Sequence, residues 1–126
     1  MKTSALYLKY LNGFPWPLIK WMHQRIGNNG IADLIGQHWE HRATAATMIG
    51  YANLAVQPIE VRYFLGEVQG AIVPPRGKND FGFGPIFLPN DQWKTFGEMT
   101  WEEKDRHGMR GKVLRELKEY LGKKME

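Results

Sequence analysis

The run from Ala43 to Val73, ATAATMIGYANLAVQPIEVRYFLGEVQGAIV, decides the fold. Its first part, Ala43 to Val56, is apolar and rich in small and β-branched residues, which favours a buried strand over a helix. From Ile59 to Leu65 the sequence alternates in the manner of a strand, with the apolar residues on one face and the charged residues on the other. We expect Gly66 to interrupt this run and an extended piece from Glu67 to Val73 to follow it. Extended runs joined this closely favour antiparallel pairing.

The chain before this run predicts one strand and two helices. Ser4 to Leu11 alternates as a strand does. The apolar spacing after the proline corner predicts a helix over Leu18 to Ile26. Gly27-Asn28-Asn29-Gly30 is expected to stop that helix, and a second, short helix is expected from Ile31 to Gln37.

The chain after the run predicts two more helices. Thr100 and Glu103 have the spacing of a capping box, and Gly108 is expected to end the short helix that they begin. Apolar residues at helical spacing predict a second helix from Met109 to Leu121, with Gly122 as its end. Taken together, these elements predict a mixed α/β domain, with a curved and largely antiparallel sheet flanked by helices.

Length and composition narrow the class of protein. A chain of 126 residues with 43% hydrophobic residues predicts a single domain over residues 1–126. The chain has no cysteine, which excludes disulfides and cysteine-ligated metals and fits a cytoplasmic location. The net charge of +4 is spread along the sequence, which a solvated surface explains and with which an anionic ligand such as a phosphate is compatible; it predicts no specific nucleic-acid interface. No apolar run is long enough to predict a membrane span.

A candidate site lies in the stretch from Val73 to Pro89, VPPRGKNDFGFGPIFLP. Pro74-Pro75-Arg76-Gly77 predicts a turn of defined geometry in which glycine permits a positive φ. Phe81 and Phe83 are separated by a glycine, which lets a flat ligand approach the backbone closely. Stacking on such rings contributes roughly 1–3 kcal/mol per nucleobase. The alternative interpretation is a glycine-kinked strand whose phenylalanines only fill the core.

A metal site is not assigned. His38 and His41 are three residues apart, a spacing that suits a metal on a helix. No third ligand is evident nearby, and surface histidines are the commoner explanation of such a pair.

Four stretches in order carry the motifs of one known family. They are Ala5-Leu6 through Leu11-Asn12-Gly13-Phe14-Pro15 with Pro17 and Ile19-Lys20-Trp21; Phe64-Leu65-Gly66 to Gly70-Ala71-Ile72 with Pro75-Arg76-Gly77; Phe81-Gly82-Phe83-Gly84-Pro85-Ile86-Phe87 with Pro89; and Thr95, Glu98-Met99, Glu103-Lys104 and Arg110. As a set they resemble the inosine triphosphate pyrophosphatases, the non-canonical purine nucleoside triphosphate pyrophosphatases. The likeness covers nearly the whole chain and implies the second half, or C-terminal lobe, of the family's fold.

The resemblance also implies a function. The family hydrolyses inosine, xanthosine and related triphosphates to the monophosphate and pyrophosphate with Mg²⁺, and its chains commonly pair as homodimers through this lobe. The substrate-binding residues that it implies here are Lys20, Phe81, Phe83, Lys104 and Arg110.

This sequence departs from the family at the residues that hold the metal and recognise the base. The family's N-terminal lobe has no counterpart in the sequence, and Lys2-Thr3 stands where two acidic residues are expected. Gly84 stands for an aspartate, and Gly108-Met109 for a serine and a histidine. Trp16 replaces a glycine at the proline corner. Mg²⁺ binding is therefore expected from the family but is not supported by this chain, and no metal ligand or catalytic residue is assigned.

Three hypotheses follow. The missing carboxylates come from a partner, either a second copy or a separate chain equivalent to the N-terminal half. Alternatively, the chain is a non-catalytic module that binds a nucleotide or another protein. A third possibility is a degenerate remnant that is held together by packing alone. Asp80 and Glu98 are the acidic residues nearest the candidate site in sequence.

Overall fold

A computed structural model of the chain describes residues 2–53, 55, 57–78 and 82–124. Within these residues the strands form one antiparallel sheet in the order β2-β1-β3-β4-β5. The predicted mixed α/β fold is confirmed. No helix in the described part of the chain combines the length and the hydropathy that crossing a bilayer requires. The elements are β1 (Lys2–Leu8), β2 (Pro15–Trp16), α1 (Ile19–Gly36), β3 (Arg42–Asn53), β4 (Glu60–Ile72), β5 (Phe87–Pro89), α2 (Trp101–His107) and α3 (Met109–Lys124), with short 3₁₀ turns at Lys9–Leu11, Gly84–Ile86 and Phe96–Glu98.

The centre of the sheet is the long hairpin of β3 and β4. The two strands pair from Arg42 opposite Ala71 to Asn53 opposite Glu60. The expected interruption at Gly66 is wrong, because β4 runs through this residue without a break. A Cβ at position 66 would meet the carbonyl oxygen of Met109 at the start of α3. This glycine therefore lets a helix lie directly on the strand.

The two faces of β4 have different environments. Near the hairpin tip, the alternating apolar residues Val61, Tyr63 and Leu65 are all exposed. The other face is covered by α3, where the ring of Tyr120 lies 5.5 Å from that of Phe64. The alternation thus marks a strand, but its apolar row is not the covered side. The buried core is formed mainly by Leu6, Leu8, Ile19, Ile31, Ile35, Ala45, Val68, Ile86, Phe87 and Met99.

α1 is divided by a single residue. Gly27 has φ 68° and ψ 179°, so the predicted break is in the right place, although helix resumes immediately after it. The spacing of Leu18, Trp21, Met22 and Ile26 predicts one apolar face, but of these only Met22 packs on the core and the other three are exposed. Ile19 and Ile31 provide the buried contacts instead.

The C-terminal helices begin as predicted. The backbone N–H of Glu103 donates to Oγ1 of Thr100 at 3.2 Å, and Oε1 of Glu103 accepts from the Thr100 N–H at 3.1 Å, which completes the capping box. α2 ends at His107 with Gly108 as its C-cap, and α3 starts at Met109. The predicted end at Gly122 is wrong, because α3 continues to Lys124. One glycine costs a helix only about 1 kcal/mol, which does not end it when neighbouring residues favour it.

The turn at Gly77 is a close backbone contact. Gly77 has φ 91°, as the sequence predicts for this turn. A Cβ at this position would overlap the backbone of Gly97. The adjacent Arg76 N–H donates to the carbonyl oxygen of Pro85 at 2.9 Å. The turn therefore lies against two other segments of the chain.

Arg76 and Thr95 add to this contact. Oγ1 of Thr95 donates to the carbonyl oxygen of Arg76 at 2.7 Å, and Thr95 is fully buried. Glu98 accepts from the Thr95 N–H at 3.0 Å and lies 3.3 Å from Nε of Arg76. These bonds fix the segment that leads into α2.

A second polar contact closes the start of β3. Oε1 of Glu40 accepts from Nε of Arg42 at 2.8 Å, and its Oε2 accepts from Nη2 at 2.7 Å. The Glu40 side chain is 7% exposed and that of Arg42 is 65% exposed, so the carboxylate is shielded while the guanidinium meets water. The side-chain hydrogen bonds from Arg42 lower the pKa of Glu40 from its ordinary 4.5 to about 2.

We expect Gly77→Ala to destabilise the fold by about 2–4 kcal/mol, because alanine is strained at positive φ and its methyl group collides with Gly97. Gly122→Ala is the control, since a Cβ there meets nothing and α3 gains helix propensity of up to about 1 kcal/mol. Urea unfolding of both variants measures the difference. Equal stability of Gly77→Ala and the wild type would contradict the contact.

We expect Glu40→Gln to reduce the acid sensitivity of the fold. The folded pKa lies below the unfolded one, so the ionised pair stabilises the fold above about pH 4.5, and this stabilisation is lost as pH falls toward about 2. The free energy of unfolding, measured by urea titration across this pH range, should fall less steeply in the variant. Identical pH profiles would show that the carboxylate contributes nothing.

Candidate functional site

A cavity of about 720 Å³ opens between α1, α2, the start of α3 and the loop at residues 82–84. Ser4 of β1 and Thr47 of β3 line it and are cross-strand neighbours on the sheet. Thr47 is buried, at 2% exposure. The sheet therefore forms one wall of the cavity, and helices and a loop form the others.

One face of α1 lines the cavity. Lys20, Trp21 and Gln24 are spaced by one and three residues, which brings their side chains to neighbouring positions on the helix, and Pro17 lines the cavity just before the helix begins. Trp21 is 62% exposed and lies at the edge of the fold. His23 also lines the cavity, four residues after the buried Ile19. These two positions are one helical turn apart.

α2 presents a similar face. Trp101, Lys104, Asp105 and Gly108 line the cavity, at spacings of three, one and three. Nζ of Lys104 lies 4.8 Å from the centroid of the Trp101 ring, a cation–π contact.

The orientation of α2 is fixed by Glu103. Its carboxylate accepts from the Thr100 N–H and from Nζ of Lys94, and these bonds, in that order, lower the pKa of Glu103. The helix that carries Lys104 is therefore held at its first turn and by a neighbouring loop.

The loop supplies an aromatic ring. Phe83 is partly buried and lines the cavity, while its ring contacts Phe87 edge-on with centroids 6.4 Å apart. Asn28 of α1 donates from Nδ2 to the carbonyl oxygen of Gly82 at 3.0 Å, which attaches this loop to the helix. Phe83 thus packs on the core and also faces the cavity.

Four of the five residues singled out in the sequence lie at this cavity. Lys20, Phe83, Lys104 and Arg110 line it and come from α1, the loop, α2 and α3, respectively. Phe81 lies outside the described residues. Met109 also lines the cavity and packs on the core beside it.

Of the two acidic residues nearest the candidate site in sequence, only Glu98 is among the described residues. Glu98 is bound to Thr95 and Arg76 and does not line the cavity, and Asp80 lies outside the described residues. Asp105 is the one acidic residue among the described residues that line the cavity. Asp105 is next to Lys104 in the predicted helix, and this proximity is the sequence signal that could have identified Asp105 as a lining residue.

Trp16 packs on β1 and does not line the cavity. Its ring meets Tyr7 edge-on at 6.2 Å, and its φ of 37° lies in the region that favours glycine. Trp16 is not among the lining residues, whereas the residue after it, Pro17, is.

The two histidines after α1 are engaged in other contacts. The His38 ring stacks on Tyr10 at 3.8 Å, and Nε2 of His41 is hydrogen-bonded to the carbonyl oxygen of His38 at 2.6 Å. In the described part of the chain, no three His, Cys, Asp or Glu residues are grouped as metal ligands.

Comparison with known proteins identifies the family. The Ham1 family profile matches residues 2–120. The chain belongs to the Ham1 family. The resemblance to the inosine triphosphate pyrophosphatases is thereby confirmed.

Relatives of this Ham1-family chain include two dITP/XTP pyrophosphatases. That of Methanopyrus kandleri is 35% identical over 121 residues, covering 95% of this chain and 63% of the relative. That of Thermococcus kodakarensis is 37% identical over 122 residues, covering 96% of this chain and 64% of the relative. The inosine triphosphate pyrophosphatase of Yarrowia lipolytica is 34% identical over 126 residues, covering 100% of this chain and 66% of the relative. The chain thus spans slightly less than two thirds of the length of these relatives.

Solved structures of Ham1 proteins share the fold. The Staphylococcus aureus Ham1 protein has a TM-score of 0.81 at 24% identity, covering 98% of this chain and 66% of that one. The nucleoside-triphosphatase, or dITP/XTP pyrophosphatase, of Mycobacterium abscessus has a TM-score of 0.68 at 29% identity, covering 92% of this chain and 62% of that one.

Proposed function

We propose that the cavity binds a purine nucleoside triphosphate, with the base against Phe83 and the phosphates beside Lys20, Lys104 and Arg110. The observation that carries this proposal is the convergence of these side chains, from four separate segments, on one cavity. The names of the relatives support the ligand class. The cavity volume of about 720 Å³ also lies in the usual range of ligand sites, roughly 300–1,000 Å³.

The charges at the cavity favour an anion. Lys20, Lys104 and Arg110 contribute three cations, and Asp105 is the carboxylate among the described lining residues. The excess of positive charge attracts a polyphosphate and strengthens its hydrogen bonds. Arg110 suits two phosphate oxygens at once, because the guanidinium fork matches their geometry.

The apolar part of the cavity favours a ring. Phe83 is supported from behind by Phe87, so its ring is held in place before any ligand arrives. An aromatic surface that is already ordered loses little entropy on stacking, and each stacked base contributes roughly 1–3 kcal/mol.

The described residues do not fit a Mg²⁺ site of the kind that the family implies. Mg²⁺ in nucleotide enzymes is held by one or two carboxylates together with substrate phosphates. Asp105 is a single carboxylate at the cavity, and Lys2-Thr3 cannot replace a pair of acids. We therefore propose nucleotide binding for the chain alone. Hydrolysis to monophosphate and pyrophosphate is proposed only for an assembly in which a second copy or a separate N-terminal-half chain supplies the carboxylates.

The open cavity argues against a remnant held together by packing alone. Met109 lines the cavity but packs on the core beside it, and Trp16 is not among the lining residues. Lys20, Lys104 and Arg110 line this one cavity, and cations gathered at a cavity favour an anion-binding site over packing alone. We also propose that the chain forms a homodimer and is located in the cytoplasm.

We expect the purified chain to bind inosine triphosphate, and Phe83→Leu to weaken this affinity about tenfold by removing the stacking surface. Phe64→Leu is the control, because Phe64 packs on Tyr120, away from the cavity. Arg110→Gln should also weaken binding, most at low salt, whereas Lys118→Gln on the exposed part of α3 should not. Isothermal calorimetry measures all five proteins. Equal affinity of the wild type, Phe83→Leu and Arg110→Gln would refute the proposed site.

We expect the isolated chain, with Mg²⁺ and inosine triphosphate, to release pyrophosphate far more slowly than a full-length relative. The physical reason is the shortage of carboxylates to position the metal and the attacking water. A coupled pyrophosphate assay on both proteins at equal concentration tests this. Turnover at the relative's rate would show that this chain carries the whole catalytic apparatus.

A further inference from the structure

The loop that carries Phe83 is held by hydrogen bonds on both sides of this residue. On one side, the carbonyl oxygen of Phe83 accepts from the Ile86 N–H at 3.0 Å, within the 3₁₀ turn that follows. On the other side, the carbonyl oxygen of Gly82 accepts from Nδ2 of Asn28 at 3.0 Å. Asn28 therefore holds the side of the loop that the turn does not reach.

The bond from Asn28 acts directly on the backbone of Phe83. The carbonyl group of Gly82 and the N–H group of Phe83 belong to one planar peptide unit, so fixing the oxygen fixes the plane from which the Phe83 side chain extends. Glycine has the widest choice of backbone conformations of any residue. A hydrogen bond at the Gly82 carbonyl therefore removes much of the freedom with which the ring of Phe83 could change direction.

Asn28 is itself held in place by α1. It follows Gly27, whose φ of 68° and ψ of 179° form a conformation that is open essentially only to glycine and that redirects the helix. Buried residues lie on both sides of this break, with Ile19 before it and Ile31 and Ile35 after it. The amide that reaches Gly82 thus comes from a helix that is packed on the core on both sides of its break.

The other end of the Asn28 amide adds no stability. Its Oδ1 atom is shielded from solvent and has no hydrogen-bond partner in the described part of the chain. A buried acceptor without a partner costs at least as much free energy as one neutral hydrogen bond contributes. The amide is thus a poor stabiliser of the fold as a whole, and its main consequence is the position of the loop.

We propose that Asn28 is a positioning residue for ligand binding, which acts through Gly82 to hold the Phe83 ring in the orientation on which a heterocycle stacks. The inference rests on the proposed nucleotide-binding function. Asn28 does not line the cavity, so its effect on a ligand passes through the loop. Lys104 and Arg110 lie on α2 and α3, so binding of the phosphates does not depend on this hydrogen bond.

A double-mutant cycle tests this route. The proteins are the wild type, Asn28→Leu, Phe83→Leu and the double variant, and leucine is close to asparagine in size and favours a helix more strongly. Asn29→Leu is the matched control, because Asn29 is exposed and follows Asn28 in the same helix. Calorimetry measures the affinity for inosine triphosphate and for inorganic tripolyphosphate, which has no base to stack.

We expect Asn28→Leu to weaken the binding of inosine triphosphate about fivefold, the effect of one hydrogen bond, and to leave tripolyphosphate binding unchanged. The double variant should bind about tenfold more weakly than the wild type, as Phe83→Leu does, because a misplaced ring and an absent ring lose the same contact. Two independent effects would instead multiply to about fiftyfold. Asn29→Leu should bind as the wild type does.

Two further measurements need no ligand. Amide hydrogen exchange in the loop at residues 82–84 should be faster in Asn28→Leu than in the wild type or Asn29→Leu, because the loop opens more often. The urea midpoint of Asn28→Leu should stay close to that of the wild type, because the unpaired Oδ1 is removed together with the hydrogen bond. If the leucine variant does not fold, Asn28→Ala removes the same amide and gives the same comparisons.

Four results would overturn the inference while leaving nucleotide binding intact. They are an unchanged affinity of Asn28→Leu for inosine triphosphate, an equal loss of affinity for tripolyphosphate, a loss of about fiftyfold in the double variant, and unchanged hydrogen exchange in the loop. If the wild type binds inosine triphosphate no more tightly than tripolyphosphate, the proposed function fails, and this inference fails with it.

Discussion

The cavity depends on the contact between the backbones of Gly77 and Gly97. Only glycine at both positions allows this approach, since a Cβ on either would overlap the facing segment. Beside the contact, the Arg76 N–H holds Pro85, and therefore the loop that carries Phe83. On the other side, Gly97 leads within a few residues to the capping box of α2 and so to the helix of Lys104. One backbone contact thus sets the separation between the aromatic ring and a cation.

The opposite wall of the cavity has a comparable origin. β4 has a glycine at position 66, and α3 begins directly above it, with the carbonyl oxygen of Met109 against the strand. A larger residue would push the start of α3 away from the sheet and move Arg110 with it. The sheet itself contributes Ser4 and Thr47, whose register across β1 and β3 is fixed by seven residue pairs. Binding geometry is therefore built largely from backbone contacts, and the charged side chains are added at their edges.

The sequence predicts those features that depend on nearby residues. The strand pattern of β3 and β4, the capping box at Thr100 and the positive φ at Gly77 are local, and each is found. Four of the site residues chosen from the sequence motifs also lie at one cavity. What the sequence does not reveal depends on contacts between distant segments. Gly66 resembles a strand breaker until α3 is seen above it, and Trp21 resembles a core residue until the packing of α1 is known. The hydrogen bond from Asn28 to Gly82 has no sequence signal at all, because only the assembled fold brings the two residues together.

The positions of the tryptophans have an optical consequence. Of the five tryptophans in the chain, Trp21 and Trp101 line the cavity from facing helices, whereas Trp16, Trp39 and Trp93 do not. Both cavity tryptophans are largely exposed, at 62% and 73%, and the second has an ammonium group over its ring. A molecule entering between them displaces water from two indoles and competes with Lys104 for one of them. The intrinsic tryptophan fluorescence of the unlabelled protein should therefore change when a ligand binds in this cavity.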